Sequence, residues 1–183
     1  RDDTQITLKA DHDTPREFDQ VVLACHADVA LDMLADASPE EQAALGAVRF
    51  QPNRAVLHRD PRAMPQRRRC WSSWVFRTER NPQPGASVGV TYWMNKLQNI
   101  PESDPMFVTL NPQGIIHESA IYDETVFRHP VFDPAALAAQ KTIAQMQGIN
   151  RTWFAGAWLR NGFHEDGFAS AVRIARHMLP ERV

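Results

Sequence analysis

Residues 153–170 read WFAGAWLRNGFHEDGFAS. An apolar, strand-like run stops at Gly156, a polar loop with a second glycine follows, and Glu165 and Asp166 open a helical pattern. A helix start carries unsatisfied N–H groups and the positive end of the dipole. In open α/β sheets, ligands lie beyond the carboxyl ends of the strands. The stretch therefore has the layout of a ligand site. It equally has the layout of a plain strand–loop–helix connection with Asp166 as N-cap. Two carboxylates at this end would repel a phosphate but not sugar hydroxyls or the edge of a neutral heterocycle. Any ligand here is expected to present hydroxyls or a ring carbonyl.

A second group is aromatic. Trp71, Trp74, Tyr92 and Trp93 fall on two strand-like runs whose order predicts pairing. Trp74 alternates with Ser72 and Phe76, and Tyr92 with Val90 and Met94. One aromatic face would suit an apolar, lipid-like substrate; ordinary sheet core is the competing reading. The histidines, at 12, 26, 58, 117, 129, 164 and 177, show no close ligand pairing, so no metal site is expected. His164, in the loop before the last helix, is a candidate for orienting substrate or moving a proton, or else a loop residue bonded to backbone. No nucleophile elbow or Cys–His arrangement is readable, and no residue can be assigned as a catalytic base.

These groups need elements to hold them. Gln5–Lys9 reads as a short strand and residues 10–19 as a turn-rich connector. Residues 21–25, VVLAC, form a continuous apolar run of the kind found in strands buried on both faces. A helix follows from Ala27, with Ala30, Met33, Leu34 and Ala37 on one stripe. Ser38-Pro39-Glu40-Glu41 starts another through a capping box. The middle is β-rich, with strands over 54–58, 70–78, 87–96, 106–110 and 121–128 and a hairpin loop, NPQPGA, at 81–86. Asp133-Pro134 caps a helix that stops at Gly148. A strand over 152–157 and a helix over 166–179 close the chain, the helix with an apolar stripe of Phe168, Ala171, Val172, Ala175, Met178 and Leu179. The expected fold is α/β (α+β). Two buried strands near the ends share a parallel sheet, and a mostly antiparallel sheet of about five strands forms an inserted lobe.

Composition excludes several classes. The 183 residues carry a net charge of -2, which gives no footprint for nucleic acid or an anionic membrane. The one basic run, Arg67-Arg68-Arg69, reads as a solvated strand entrance. No apolar run is long enough to span a bilayer, and no signal peptide is readable. Cys25 and Cys70 read as buried free thiols, which points to the cytoplasm. The first residue is Arg1, and the chain opens almost directly on a strand pattern. The expectation is a piece of a longer polypeptide.

FDQVVLACHADVAL (18–31) and TWFAGAWLRNGFHEDGFASAVRIA (152–175) resemble the closing segments of flavin-dependent amine oxidase-like proteins. NRAVLHRDPRAMPQRRRCWSSWVF and YDETVFRHPVFD are similar to a bacterial branch of predicted NAD/FAD-binding proteins. The resemblance runs from Phe18 onward. It implies a partial FAD-binding, Rossmann-like lobe (1–38 and 149–183) carrying an inserted substrate lobe (39–148). It maps FAD contacts to Gly156, Ala157 and Trp158, and to Glu165, Asp166 and Gly167. The helix would face the flavin's pyrimidine edge and stabilise charge at N1 and the C2 carbonyl on reduction. Trp71, Trp74, Tyr92, Trp93 and His164 would line the substrate cavity.

The chain departs from the family pattern at three points. Trp158 stands where an acidic residue is usual, which makes it a wall of the substrate cavity. Asn53-Arg54 stands where many amine oxidases have a lysine, which points away from amine oxidation. G-x-G-x-x-G, the pyrophosphate-binding turn, does not occur. The implied protein is a flavin-dependent oxidoreductase passing hydride from an apolar small molecule to FAD. This chain would then be its C-terminal part, lacking the N-terminal FAD-binding segment and not retaining FAD by itself, with an open sheet edge available to a second copy. The rival is a non-catalytic module whose aromatic pocket holds an apolar ligand or a partner protein.

Overall fold

The computed structural model describes residues 1, 4–78 and 88–179. The chain divides into two units, Arg1–Gln51 with Pro130–Val183, and Pro52–His129. The architecture is the expected α/β mixture, with a parallel strand pair and helices in the first unit and a five-stranded antiparallel sheet in the second.

In the first unit, β1 (Ile6–Leu8) pairs antiparallel with β2 (Arg16–Phe18), so the segment read as a connector contributes a strand. β3 (Val21–Leu23) runs parallel to β9 (Thr152–Phe154), with Val22 opposite Trp153. This is the expected pairing of the two terminal strands. With only two strands, burial on both faces does not follow, and Val22 is 41% exposed. Helices α1 (Ala27–Met33), α2 (Pro39–Gly46), α4 (Pro134–Met146) and α5 (His164–Met178) complete the unit. Ala27, Ala30, Leu45, Ile143, Met146, Phe154 and Trp158 form its core. Sequence reading placed α2 and α4 in the inserted lobe; both pack in this core instead.

The helix starts follow the sequence signals. Ser38 Oγ accepts the Glu41 N–H while the Glu41 carboxylate accepts the Ser38 N–H, and Asp133 accepts the Ala136 N–H. Two helix faces differ from expectation. Met33 of α1 is exposed. On α5 the buried side chains are Asp166, Ser170 and Ile174, while Phe168 is 66% exposed. Asp166 and Ser170 accept backbone N–H groups of the preceding turn and loop, which sets the rotation of that helix, and its apolar stripe faces largely outward.

The second unit contains β4 (Phe50–His58), β5 (Trp74–Arg77), β6 (Gly89–Trp93), the short helix α3 (Met94–Gln98), β7 (Phe107–Leu110) and β8 (Ile121–Pro130). Sheet order is β5-β6-β7-β4-β8. β5 and β6 are shorter than expected, because a 3-10 turn occupies Arg68–Cys70 and α3 takes over at Met94. The NPQPGA loop lies outside the described residues. Period-two alternation separates two faces. Val56, His58, Thr91, Trp93, Phe107 and Thr109 are buried. Trp74, Phe76, Val90, Tyr92, Val108 and Leu110 alternate with them and are half-buried or exposed. Cys70 is exposed and Cys25 half-buried; neither is the buried thiol expected. Among the described residues, no helix is long and apolar enough to cross a membrane.

Candidate functional site

The strand–glycine–helix stretch forms a single hydrogen-bonded unit at the carboxyl ends of β3 and β9. Ala155 N–H donates to the Leu23 carbonyl, continuing the parallel pair by one residue. At Gly156 the chain adopts φ 154° and ψ 159° and enters a 3-10 turn over Ala157–Leu159. A Cβ at Gly156 would lie 2.5 Å from Trp158 Nε1, so glycine is required here by the chain's own tryptophan. Trp158 is 4% exposed and donates from Nε1 to the Cys25 carbonyl at 2.9 Å, tying together the exits of the two strands. It belongs to the core, which corrects its assignment as a cavity wall.

Helix α5 packs on this turn at ordinary van der Waals distance. A Cβ at Gly167 would meet Ala157 N at 3.5 Å. Ser170 Oγ accepts the Gly156 N–H at 3.0 Å and donates to the Gly167 carbonyl at 2.6 Å. Asp166 is the third residue of the helix rather than its N-cap; Phe163 holds that place. The Asp166 carboxylate accepts the N–H groups of Asn161 and Phe163 and lies 3.8 Å from Arg160 Nε. It is 7% exposed and turned into the loop. Phe163, His164 and Glu165 are exposed at the leading end. Of the six residues mapped to FAD, Ala157, Glu165 and Gly167 stand at or beside this helix start. Gly156, Trp158 and Asp166 have internal roles that account for their chemistry. The Gly156 N–H is already bonded, so this turn has no free amide cradle at its glycine for a pyrophosphate. An isoalloxazine edge requires less: the first-turn N–H groups of His164 and Glu165 precede any helical acceptor.

The aromatic set separates onto opposite faces of the five-stranded sheet. Trp74 and Tyr92 are directly cross-strand and meet edge to face at 5.6 Å on the half-exposed face. Trp93 is 9% exposed and packs with Met64 and Phe107; Trp71 joins them, its Nε1 donating to the Pro65 carbonyl. Trp93 is therefore a core residue with Trp71 half-buried against it, and the single aromatic face is corrected to one cross-strand pair with Phe76 beside it. Arg68 lies over the rings of Trp71 at 3.9 Å and Trp93 at 4.8 Å and pairs with Glu102. The middle arginine of the basic run is thus an exposed cation that stacks on the two indoles. His164 is far in sequence from this sheet and lies in the other unit.

Sequence reading missed a buried polar chain. His58 is 0% exposed. Its Nδ1 accepts the Asp60 N–H at 3.1 Å, so Nε2 carries the proton and donates to Thr109 Oγ1 at 2.7 Å. Thr109 Oγ1 lies 2.9 Å from Thr91 Oγ1, which reaches the Ala63 carbonyl. Burial depresses the His58 pKa to about 4, against the opposing charge of Asp60. Asp60 is held well below the usual carboxylate range, chiefly by hydrogen bonds from Arg62 and also by the His117 N–H. The signal was faint: His58, Thr91 and Thr109 fall on the inward parity of three strands, visible only once register is known. Among the described residues no cluster of His, Cys, Asp and Glu could hold a metal ion.

The mixed fold with its antiparallel sheet is shared with solved structures at low sequence identity. The chain superposes on a protein provisionally named protoporphyrinogen oxidase from Exiguobacterium sp. 255-15, with TM-score 0.62 and 14% identity, over 97% of this chain and 44% of that one. It also superposes on a CLA-producing fatty acid isomerase from P. acnes, with TM-score 0.59 and 15% identity, over 98% of this chain and 46% of that one. The chain thus spans less than half the length of these solved chains. No family model and no curated sequence matches it.

Proposed function

We propose that this chain is the substrate-lobe and C-terminal portion of an FAD-dependent oxidoreductase acting on an apolar small molecule. The observation carrying this reading is the exposed first turn of α5, set at the carboxyl ends of a parallel strand pair in a fold similar to flavin enzymes over nearly the whole chain. FAD, when bound, accepts the hydride. The contribution of the chain is positional and electrostatic. First-turn N–H groups at His164 and Glu165 stabilise negative charge on a ring edge. Ala157 and Gly167 hold the helix close to the strand exit. The Asp166 carboxylate reaches back across the helix start to the Phe163 and Asn161 amides, which satisfy it. The outward apolar stripe of α5, headed by Phe168, suits a covering segment such as the nucleotide-gripping half of the enzyme.

The pyrophosphate turn is absent from this sequence, so the adenine half of FAD gains nothing here. Riboflavin and FAD titrations followed by 15N NMR test the reading. Both ligands are expected to shift the amides of Ala157, His164 and Glu165, with FAD binding no tighter than riboflavin. Riboflavin leaving those amides unmoved at saturating concentration refutes the flavin-facing role. A second reading is favoured by the apolar face around Trp74, Phe76 and Tyr92: a binding module for an apolar ligand, without redox chemistry. That module predicts shifts at Trp74 and Tyr92 with a fatty acid and none at α5 with any flavin.

A further inference from the structure

We propose that two copies of this chain associate by antiparallel pairing of β8 with β8 about a two-fold axis through Val126. The inference does not depend on the flavin reading. β8 is the end strand of the five-stranded sheet, next to β4 alone. Eight of its ten residues, Tyr122 to His129, are exposed, among them Tyr122 at 48%, Val126 at 60% and Phe127 at 53%. A long exposed edge strand presents main-chain donors and acceptors to any further strand.

The sign pattern selects a second copy and one register. Acidic residues stand at Asp123 and Glu124 and a basic one at Arg128, while His129, whose Nδ1 accepts from Asn53 Nδ2, is a neutral polar ring. A two-fold axis normal to the sheet keeps each residue on its own face, so only partners of like parity can lie opposite. With Val126 opposite itself, Glu124 faces Arg128, Asp123 faces His129, Thr125 faces Phe127 and Tyr122 faces Pro130, each twice. Moving the axis to Thr125 or Phe127 leaves no ionic pair opposite, and moving it to Glu124 sets that carboxylate against its own copy. A parallel arrangement in register would place every charge on a like charge. Edge charges normally discourage pairing; here their order along the strand is self-complementary when the strand is reversed. Glu124 already meets Arg54 of β4, and Asn53 holds His129 Nδ1 at 2.9 Å. In the dimer Glu124 would therefore sit between Arg54 and the second copy's Arg128, extending a cross-strand ladder over both sheets.

Pairing over Tyr122–Pro130 forms roughly eight main-chain hydrogen bonds in a small interface, so dissociation on the order of micromolar is expected. Sedimentation velocity over a concentration series tests it, with thermal melts to show that each variant folds. The unmodified chain should pass from monomer to dimer. Glu124→Arg and Arg128→Glu singly should abolish the dimer by opposing like charges, and the double swap should restore it. In a Cys70→Ser background, Val126→Cys should cross-link to its own copy on mild oxidation, because opposite Cα atoms about 4.5–5.5 Å apart are within disulfide reach. Tyr122→Cys, opposite Pro130, should not. A monomer at about 100 μM, far above the expected dissociation constant, overturns the proposal. So does a dimer indifferent to both single swaps, or one whose Val126→Cys form fails to cross-link. A strand from another protein in place of the second copy would give the first of these results.

Discussion

Acid should destabilise the second unit through His58. In the fold its pKa lies at about 4, against 6.5 for the free side chain, because burial penalises the charged ring by more than the neighbouring Asp60 favours it. Between these values the unfolded chain binds a proton that the folded chain refuses. Stability from the neutral ring is complete above pH 6.5 and is lost as pH falls towards 4. The shift of roughly 2.5 units corresponds to about 3 kcal/mol in full, of which about 2 kcal/mol should disappear between pH 7 and pH 5. Carboxylates contribute little in that window, since their ordinary pKa values lie below it. The perturbation is His58→Gln, whose amide can still donate to Thr109 but does not titrate. Hydrogen exchange of the β4 and β7 amides at pH 7, 6 and 5 reads the opening of this unit by itself. The unmodified chain should lose protection steeply with acid, and the variant should start weaker but show a flatter slope. Equal slopes in the two proteins would refute the assignment of His58 as the buried neutral group.

Two further outcomes follow from particular contacts. The Arg1 guanidinium is 6% exposed, bonded to both Glu41 oxygens at 2.7 and 2.8 Å and to Asp36; burial raises the Glu41 pKa, but the Arg1 hydrogen bonds and charge outweigh it and hold the group below its ordinary value. Arg1→Ala leaves that carboxylate buried and unpaired and should cost roughly 3–5 kcal/mol in urea denaturation, with Arg1→Ala/Glu41→Leu recovering a good part. Gly156→Ala drives a methyl into the Trp158 indole and should cost about 1–3 kcal/mol, seen as a lower melting temperature; adding Trp158→Phe, which removes the indole nitrogen, should lessen the penalty, and an unchanged melting temperature for Gly156→Ala alone would contradict the close approach.

Local signals were legible where a short stretch of backbone satisfies itself. The Ser38–Glu41 capping box, the Asp133 cap and the stop at Gly148 need only neighbours within a few residues, and all three stand as read. The terminal strand pair and the five-stranded inserted sheet were legible too, because their apolar runs have no other way to be buried. The lobe boundaries were not: α2 and α4 lie next to the β-block in sequence but find their apolar partners in the first unit's core.

Side-chain destinations depended on the tertiary structure. Apolar spacing along α5 pointed to Phe168, Ala171 and Ala175 as its inner face, yet Ser170 accepts the Gly156 N–H at the β9 exit and Asp166 accepts two N–H groups of the following loop, which turns that stripe outward. Trp71 and Trp74 lie three residues apart in one aromatic run, but the 3-10 turn at Arg68–Cys70 packs the first, half-buried, against the Trp93 cluster and strand parity sends the second to the open face. His58, Thr91 and Thr109 carry no motif; three strands in one register make them a hydrogen-bonded chain. Sequence by itself therefore settled the Ser38 and Asp133 caps, most of the element types and the α/β class, which depend on local backbone bonding and on periodicity. Which face a helix buries, which aromatics meet, and which polar groups are sealed from water were decided only in three dimensions, because those outcomes depend on partners supplied by distant parts of the chain.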